Sequence, residues 1–441
     1  MALMRLLLLV PAVVVLGWCV AGAAPARAEQ PTADEAHRLE KVRRILESMP
    51  LIDGHNDLPE KLRERARNHL DSLDLDSDTA RVEPPSQTNL PRLRRGGVGG
   101  TFFAAWVPGR LRGPEAAQMM FEQIDVIHRL VERHPETLAL ATSAEEVERA
   151  HRAGRIAALI GVEGGHAIAN SLATLRQAYA CGARYLTLTH LQSNDWADAA
   201  VWPGVGPDSL VHGGLTPFGL EVVREMNRLG MLVDLSHTAD ATMLAALEVS
   251  EAPVIFSHAG ARAVCDHPRN VPDDILRRVA DNGGVVMVDF VPGFVSAAYR
   301  DWEVPVWAEW QRLEKLYPGD RARVEAEMQA WRAQHPAPLV TLAQVADHID
   351  HVRQVAGIEH VGLGSDFDGA DEFPAGLEDP SRFPALLSEL LRRGYSETDL
   401  KRLAGGNLLR VMRQAERVAE RLQQRRPASD ALIQDLDRPR P

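Results

Sequence analysis

Cysteine is nearly missing from this chain: there are three in 441 residues, and one of them, Cys19, falls in an N-terminal apolar run. Cys181 and Cys265 are left for the folded part. A disulfide framework is therefore not what holds the chain together, and any metal site must be built from imidazole and carboxylate. The two remaining thiols could pair in an exported protein. A chain of this size needs no staple, however, and both lie in core-like segments, so two unrelated buried thiols are expected.

Basic charge is also in short supply. Asp and Glu number 61 against 49 Lys and Arg, for a net charge of −12. There is no basic patch and no aromatic-interleaved Lys/Arg stretch, which excludes nucleic acid as a partner. The Arg-rich stretches near Arg63–Arg67 and Arg421–Arg426 sit in mixed-charge, helix-like surroundings and read as solvated faces.

Long apolar runs are lacking except at the start. Leu6–Val20 follows Arg5 and precedes Ala26-Arg27-Ala28, a small-x-small cleavage site. The run falls short of the roughly 20 residues that span a bilayer. Residues 1–28 read as a signal peptide, and cleavage near Ala28 would deliver the protein to the periplasm or the exterior with a charge of −14. Trp18 is bulky where a lipoprotein signal wants a small residue, and no apolar tail closes the chain, so no stable membrane anchor is expected. Residues 29–424 read as one domain. Residues 425–441, rich in proline and charge, read as a disordered tail.

What is present is a series of eight apolar runs, six of which end on a polar residue. They are Leu51–His55, Gly99–Val107, Ile156–Glu163, Tyr185–His190, Met231–His237, Pro253–His258, Gly284–Val291 and His360–Asp366. Helical periodicity separates most of them, as in Glu115–His134, Pro217–Leu229 and Asp273–Asp281. Residues 59–95 read as a long loop with short helices, Gln192–Thr216 as a lid-like loop, and residues 299–335 as an inserted helical excursion. Eight strands alternating with helices predict a (β/α)8 TIM-type barrel with helical insertions. An open doubly wound sheet is the alternative. The barrel is preferred because polar residues recur at the ends of six strands, whereas an open sheet gathers its site at one switch point.

Five of those polar residues have the chemistry of metal ligands. His55 and Asp57 form an H-x-D pair whose side chains point the same way on an extended segment. Glu163 ends an apolar run, where a carboxylate must be hydrated, paired or metal-bound. His237 and His258 end consecutive strands, each after a serine. Any one of these is more often an ordinary core residue; together they suit two zinc ions, with Glu163 bridging and a water between them acidified to a hydroxide nucleophile. His55, Asp57 and Glu163 would hold one ion, and Glu163, His237 and His258 the other. Asp366 is placed to take the water's proton and return it to a leaving amine. His190 is placed to stabilise an oxyanion. Arg269 can capture a substrate carboxylate in bidentate fashion.

With these residues in view, the sequence resembles the membrane (renal-type) dipeptidases, zinc peptidases of the amidohydrolase-like barrel group. The matching stretches are Asp53–Pro59, Gly161–Ile168, Tyr185–His190, Val233–His237, Ser257–Asn270, Gly362–Ala370 and Gly405–Val411, and coverage runs from about residue 40 to 420. The resemblance implies the same five zinc ligands, with His190 and Arg269 binding substrate and Asp366 as acid/base. It implies small dipeptide substrates, including those with a D-residue at the carboxyl side. Two departures stand out. Relatives often carry Asn-Phe-Tyr where this chain reads Asp289-Phe290-Val291, and the animal enzymes carry a lipid anchor that this chain is not expected to have. A homodimer is left open. A lactonase or deacetylase on the same barrel is the competing function; Arg269 and His190 argue for the dipeptidase. A binding protein without catalysis is a third option, disfavoured because every expected site residue is present.

Overall fold

The computed structural model describes residues 32–77, 86–200 and 210–437; the signal-peptide segment lies outside the described residues. Among the described residues, nine parallel strands form one sheet: β1 Leu51–Asn56, β2 Val98–Trp106, β3 Leu138–Leu140, β4 Ile156–Glu163, β5 Ala183–Thr187, β6 Leu232–Asp234, β7 Ile255–Phe256, β8 Val285–Val288 and β9 Val361–Leu363. Eight of them close into a barrel, because β2 pairs with β4 while β1 pairs with both β2 and β9. The extra strand, β3, pairs with Ile156–Ala158, and β5 takes over the same edge of β4 from Ile160 onward. The TIM-type barrel expected from the sequence is therefore the fold. β3 and the helix Ala144–Arg152 behind it were not predicted, since three residues are too few to show a period.

β1 and β4 are buried along their whole length. Side chains alternate between two cores. Ile52, Phe102, Leu159, Tyr185, Leu232, Ile255 and Met287 fill the barrel with the helix Asn407–Arg425 packed beneath them. Leu51, Phe103, Ile160, Leu186, Val233, Phe256 and Val286 meet the outer helices. Each such side chain contributes roughly 1.5–3 kcal/mol of transfer free energy.

Five strands are shorter than expected. The sequence predicts ladders reaching His190, His237, His258, Val291 and Asp366, but β5 stops at Thr187, β6 at Asp234, β7 at Phe256, β8 at Val288 and β9 at Leu363. The functional residues stand beyond the last rung. Buried carboxylates replace the ladder there. Asp234 Oδ1 accepts from the backbone N–H of Ser236 at 3.1 Å and of Ser257 at 2.8 Å. Asp53 Oδ1 accepts from the backbone N–H of Ser365 at 2.8 Å. The chain is then free to turn, and His237 (φ 65°) and Asp366 (φ 62°) take left-handed backbone, a local strain typical of functional sites.

The expected excursion is the helix pair Ala297–Leu316 and Arg321–Gln334, with a small core of its own around Val306, Leu313, Val324 and Met328. At the C-terminus, composition predicts disorder from residue 425, yet residues through 437 are placed. Asp437 accepts from Thr216 and from the backbone of Phe218, so it caps the helix Pro217–Leu229, where a negative charge is favoured. Residues 438–441 lie outside the described residues. Cys181 and Cys265 are both free; Cys265 is buried as expected, whereas Cys181 is exposed at the end of the helix Leu172–Ala180. Among the described residues, no helix is long and apolar enough to cross a membrane.

Candidate metal centre

The five expected ligands meet at the carboxyl end of the barrel. Glu163, the last residue of β4, lies between them. Its Oε2 is 3.5 Å from His55 Nε2. Its Oε1 is 3.0 Å from His237 Nε2 and 3.5 Å from His258 Nε2. Asp57 Oδ2 adds a carboxylate 3.2 Å from His55 Nε2. His237 and His258 bring their Nε2 atoms within 2.9 Å of each other. All five residues are buried. The His, Asp and Glu atoms able to coordinate metal fall into three overlapping groups: His55, Glu163 and His258; Glu163, His190 and His237; and His55, Asp57 and Asp366. The two oxygens of Glu163 thus face two different sets of donors, as a bridging carboxylate must.

His237 and His258 fit a metal by their protonation as well as their geometry. Burial, Arg269 and neighbouring imidazoles hold His237 and His258 well below the usual imidazole range, so their lone pairs are available. Burial would raise Glu163, but the nearby His55 and His190 and the hydrogen bond from His237 bring it well below the usual carboxylate range. Burial also disfavours charge on His55, yet Tyr185, Asp57 and Glu163 outweigh it and hold its pKa well above normal. The same carboxylates would draw a cation to its lone pair. Among the described residues, His55 Nε2 and Asp57 Oδ1 are buried without a hydrogen-bond partner, a cost of about 1–3 kcal/mol each that a coordinated ion would remove.

Residues behind the ligands fix their orientation. Ser257 Oγ donates to Asp234 Oδ2 at 2.6 Å and lies 2.8 Å from His258 Nδ1. That hydroxyl must therefore accept from Nδ1–H, which leaves the lone pair of His258 Nε2 facing Glu163. Tyr185 and Asp234 were not singled out from the sequence. Their signals were available: Tyr185 is at an inward position of β5, and Asp234 is an acid inside an apolar run. Gly369 has no room for a side chain, since a Cβ would stand 2.3 Å from Asp366 Oδ1 and 2.6 Å from Asp57 Oδ2.

Asp366 joins the cluster, with Oδ1 3.9 Å from His55 Nε2. Burial, Asp289 and Asp57 push its pKa well above the usual carboxylate range, which suits a residue that carries a proton. His190 lies 3.8 Å from Glu163 Oε1 through Nε2, while its Nδ1 accepts from Trp106 Nε1 at 3.5 Å. Burial keeps it below the usual imidazole range. Neutral with its proton on Nε2, it can donate towards the cluster.

Arg269 stands behind the cluster. It is 1 % exposed, donates to the His258 carbonyl at 3.2 Å, and lies under the ring of Phe294 at 5.0 Å. Its Nε and Nη1 have no hydrogen-bond partner among the described residues. Among the described residues, Asp289 Oδ2, at 3.9 Å, is the nearest carboxylate oxygen, beyond hydrogen-bond range. Burial outweighs Arg269 and pushes Asp289 up to about 7. Arg269 thus backs the site rather than lining its open wall.

The centre opens into a cavity of about 610 Å³ lined by Asp57, Glu163, His190, His237 and Asp366 on the barrel side and by the helical excursion on the other. Glu60, which the sequence reading passed over, also lines it. Burial and the nearby Asp57 push Glu60 up to about 9.

A family model described as "Membrane dipeptidase (Peptidase family M19)" matches residues 39–426. Dipeptidase 3 of Mus musculus is 42% identical over 383 residues, covering 86% of this chain and 66% of that protein. Dipeptidase verJ of Clonostachys rogersoniana is 41% identical over 396 residues, covering 88% of this chain and 89% of that protein. The probable dipeptidase PvdM from Pseudomonas aeruginosa shares the fold with a TM-score of 0.71 at 25% identity, covering 87% of this chain and 100% of that structure. The chain spans about two thirds of the mouse relative and most of the fungal one. It belongs to the membrane dipeptidase family, peptidase family M19, and is by that membership a metallopeptidase of the dipeptidase class.

Proposed function

We propose that the chain is an exported dizinc dipeptidase whose substrates include dipeptides with a D-residue at the carboxyl side. The observation that carries the metal assignment is the position of Glu163, with His55 against one oxygen and His237 and His258 against the other. His55, Asp57, Glu163, His237 and His258 would hold the pair of ions. Zinc at such a site supplies Lewis acidity, polarising a carbonyl and acidifying water near neutral pH.

The chain's own residues do the rest. Asp366 accepts a proton from the attacking water and passes it to the leaving amine, a transfer its raised pKa favours. His190 donates from Nε2 to the oxygen that gains charge. Arg269 holds the free carboxylate of the substrate once the Phe294 ring gives way. That need for a free carboxylate distinguishes a dipeptidase from a lactonase or deacetylase on the same barrel. The D-residue tolerance rests on the family resemblance. Export rests on residues 1–28, with their apolar run and the Ala26-Arg27-Ala28 cleavage site.

Metal analysis by mass spectrometry, with a dipeptide panel that includes L,D pairs, tests the enzymatic reading. Two zinc per chain and turnover of both L,L and L,D pairs are expected. A zinc-loaded preparation that is inert on the panel yet opens lactones or N-acyl amino acids would overturn it. Fractionation with N-terminal sequencing tests export; a mature protein that starts at Met1 in the cytosol would refute it.

A further inference from the structure

The cavity is larger than a dipeptide backbone needs, within the roughly 300–1,000 Å³ typical of small-molecule sites. Its outer half is built by the excursion, and the composition there is unusual. Tyr299, Trp302, Trp307 and Trp310 supply aromatic faces. Tyr299 and Trp302 are packed with their ring centroids 5.1 Å apart, and Trp302 is fixed by donating Nε1–H to the His335 carbonyl at 2.9 Å. Two carboxylates stand among these rings. Glu372 accepts from the Tyr299 hydroxyl at 2.9 Å. Glu303 is partly buried and has neither a hydrogen bond nor an ion pair among the described residues. It lies against Gly293, where a Cβ would meet its Oε2 at 2.0 Å. Burial and the charge of Glu372 push Glu303 up to about 7, although Arg332 opposes them. Arg332 is the only arginine or lysine lining the cavity among the described residues, and it is exposed. Two mutually repelling carboxylates thus stand between aromatic faces, and among the described residues only the exposed Arg332 offsets their charge in part. A flexible apolar stem with a charged tip would satisfy both surfaces at once.

The position gives the direction. Gly293 precedes Phe294, the ring that covers Arg269. The subsite therefore lies on the side where a substrate carboxylate would be held. We infer that the excursion forms a specificity subsite for a cationic side chain, of the lysine or arginine kind, on the carboxyl-side residue of the dipeptide, with Glu303 and Glu372 as countercharges. This rests on the dipeptidase reading above, which it narrows to a substrate class.

The test compares kcat/KM of the zinc-loaded enzyme for Ala-Lys and Ala-norleucine, which share an aliphatic stem and differ in the ammonium group, and for Lys-Ala and norleucine-Ala. Ala-Lys should exceed Ala-norleucine roughly tenfold. The amino-side pair should differ much less. In Glu303→Gln/Glu372→Gln the carboxyl-side ratio should fall towards one. Glu303→Gln alone, which keeps the Tyr299–Glu372 bond, should at least halve the ratio and serves if the double variant is unstable. The inference is overturned if the wild-type ratio is near one, if the variants leave it unchanged, or if the preference appears only with lysine at the amino side. In each of those cases the neutral dipeptides are still cleaved and the dipeptidase reading survives. Failure to cleave any dipeptide would overturn both.

Discussion

The Tyr185 hydroxyl lies 2.7 Å from His55 Nδ1, inside the barrel and wholly out of contact with solvent. With His55 Nε2 turned to Glu163, this contact holds the imidazole ring in its orientation. Tyr185 can occupy the position because residue 161 is glycine; a Cβ there would stand 2.0 Å from the tyrosine ring. Tyr185→Phe should leave the fold intact, costing about 1 kcal/mol. It should weaken metal binding by about 10–100-fold. Chelator competition monitored by metal content checks this. Unchanged metal affinity would remove Tyr185 as a support of His55.

Asp366 is expected to carry the proton. Asparagine tolerates the left-handed backbone at this position, so Asp366→Asn tests chemistry rather than folding. The variant should keep both metals and lose about 10²–10⁴ in kcat. Steady-state kinetics beside metal analysis gives the answer, and a near-normal rate would rule out the assignment.

Arg269 has two donor nitrogens without hydrogen-bond partners among the described residues and a place behind the ligands. Arg269→Lys removes the bidentate fork while keeping the charge. KM for dipeptides should rise roughly tenfold or more, with much less effect on C-terminally amidated analogues. Equal effects on both substrate sets would mean that no carboxylate is captured there.

His348 predicts how the fold responds to acid. Its Nδ1 accepts from the Ala261 N–H at 2.9 Å, and Nε2–H donates to the Val295 carbonyl at 3.0 Å, so only the neutral ring fits. Burial lowers its pKa to about 4 from 6.5. The unfolded chain binds this proton more readily than the folded one, so stability is full above about 6.5 and is lost as pH falls towards about 4. The loss amounts to about 3 kcal/mol. Urea unfolding between pH 7 and pH 4 should show a shallower decline in His348→Gln than in the wild type. Parallel curves would show that another group drives the acid loss.

The alternation of apolar runs and helices was enough to reach the barrel, because strands buried on both faces and amphipathic helices leave distinct periods in a sequence. His55, Asp57, Glu163, His237 and His258 were legible for a related reason. A polar residue that closes an apolar run needs a partner, and five of the right chemistry recur in chain order. Strand ends were overestimated because Asp234 and Asp53 take over the hydrogen bonds of the ladder, a substitution that hydrophobicity does not record. Arg269 was read from the sequence as a carboxylate binder without its burial under Phe294, since the loop that carries that ring has no period to read.

The residue types of the centre and the order in which strands deliver them are properties of the sequence alone. Burial patterning and ligand chemistry are local, and each segment carries its own share. Closure of the barrel decided the rest. Tyr185 meets His55 across 130 residues, and Ser365 meets Asp53 across 312. The excursion supplies Trp302 and Glu303 to a cavity whose far wall is formed by Asp57 and Glu163. These contacts depend on which strands become neighbours and on how a helical pair folds back over the barrel mouth. Both are set by the packing of the whole chain, and no single segment contains them.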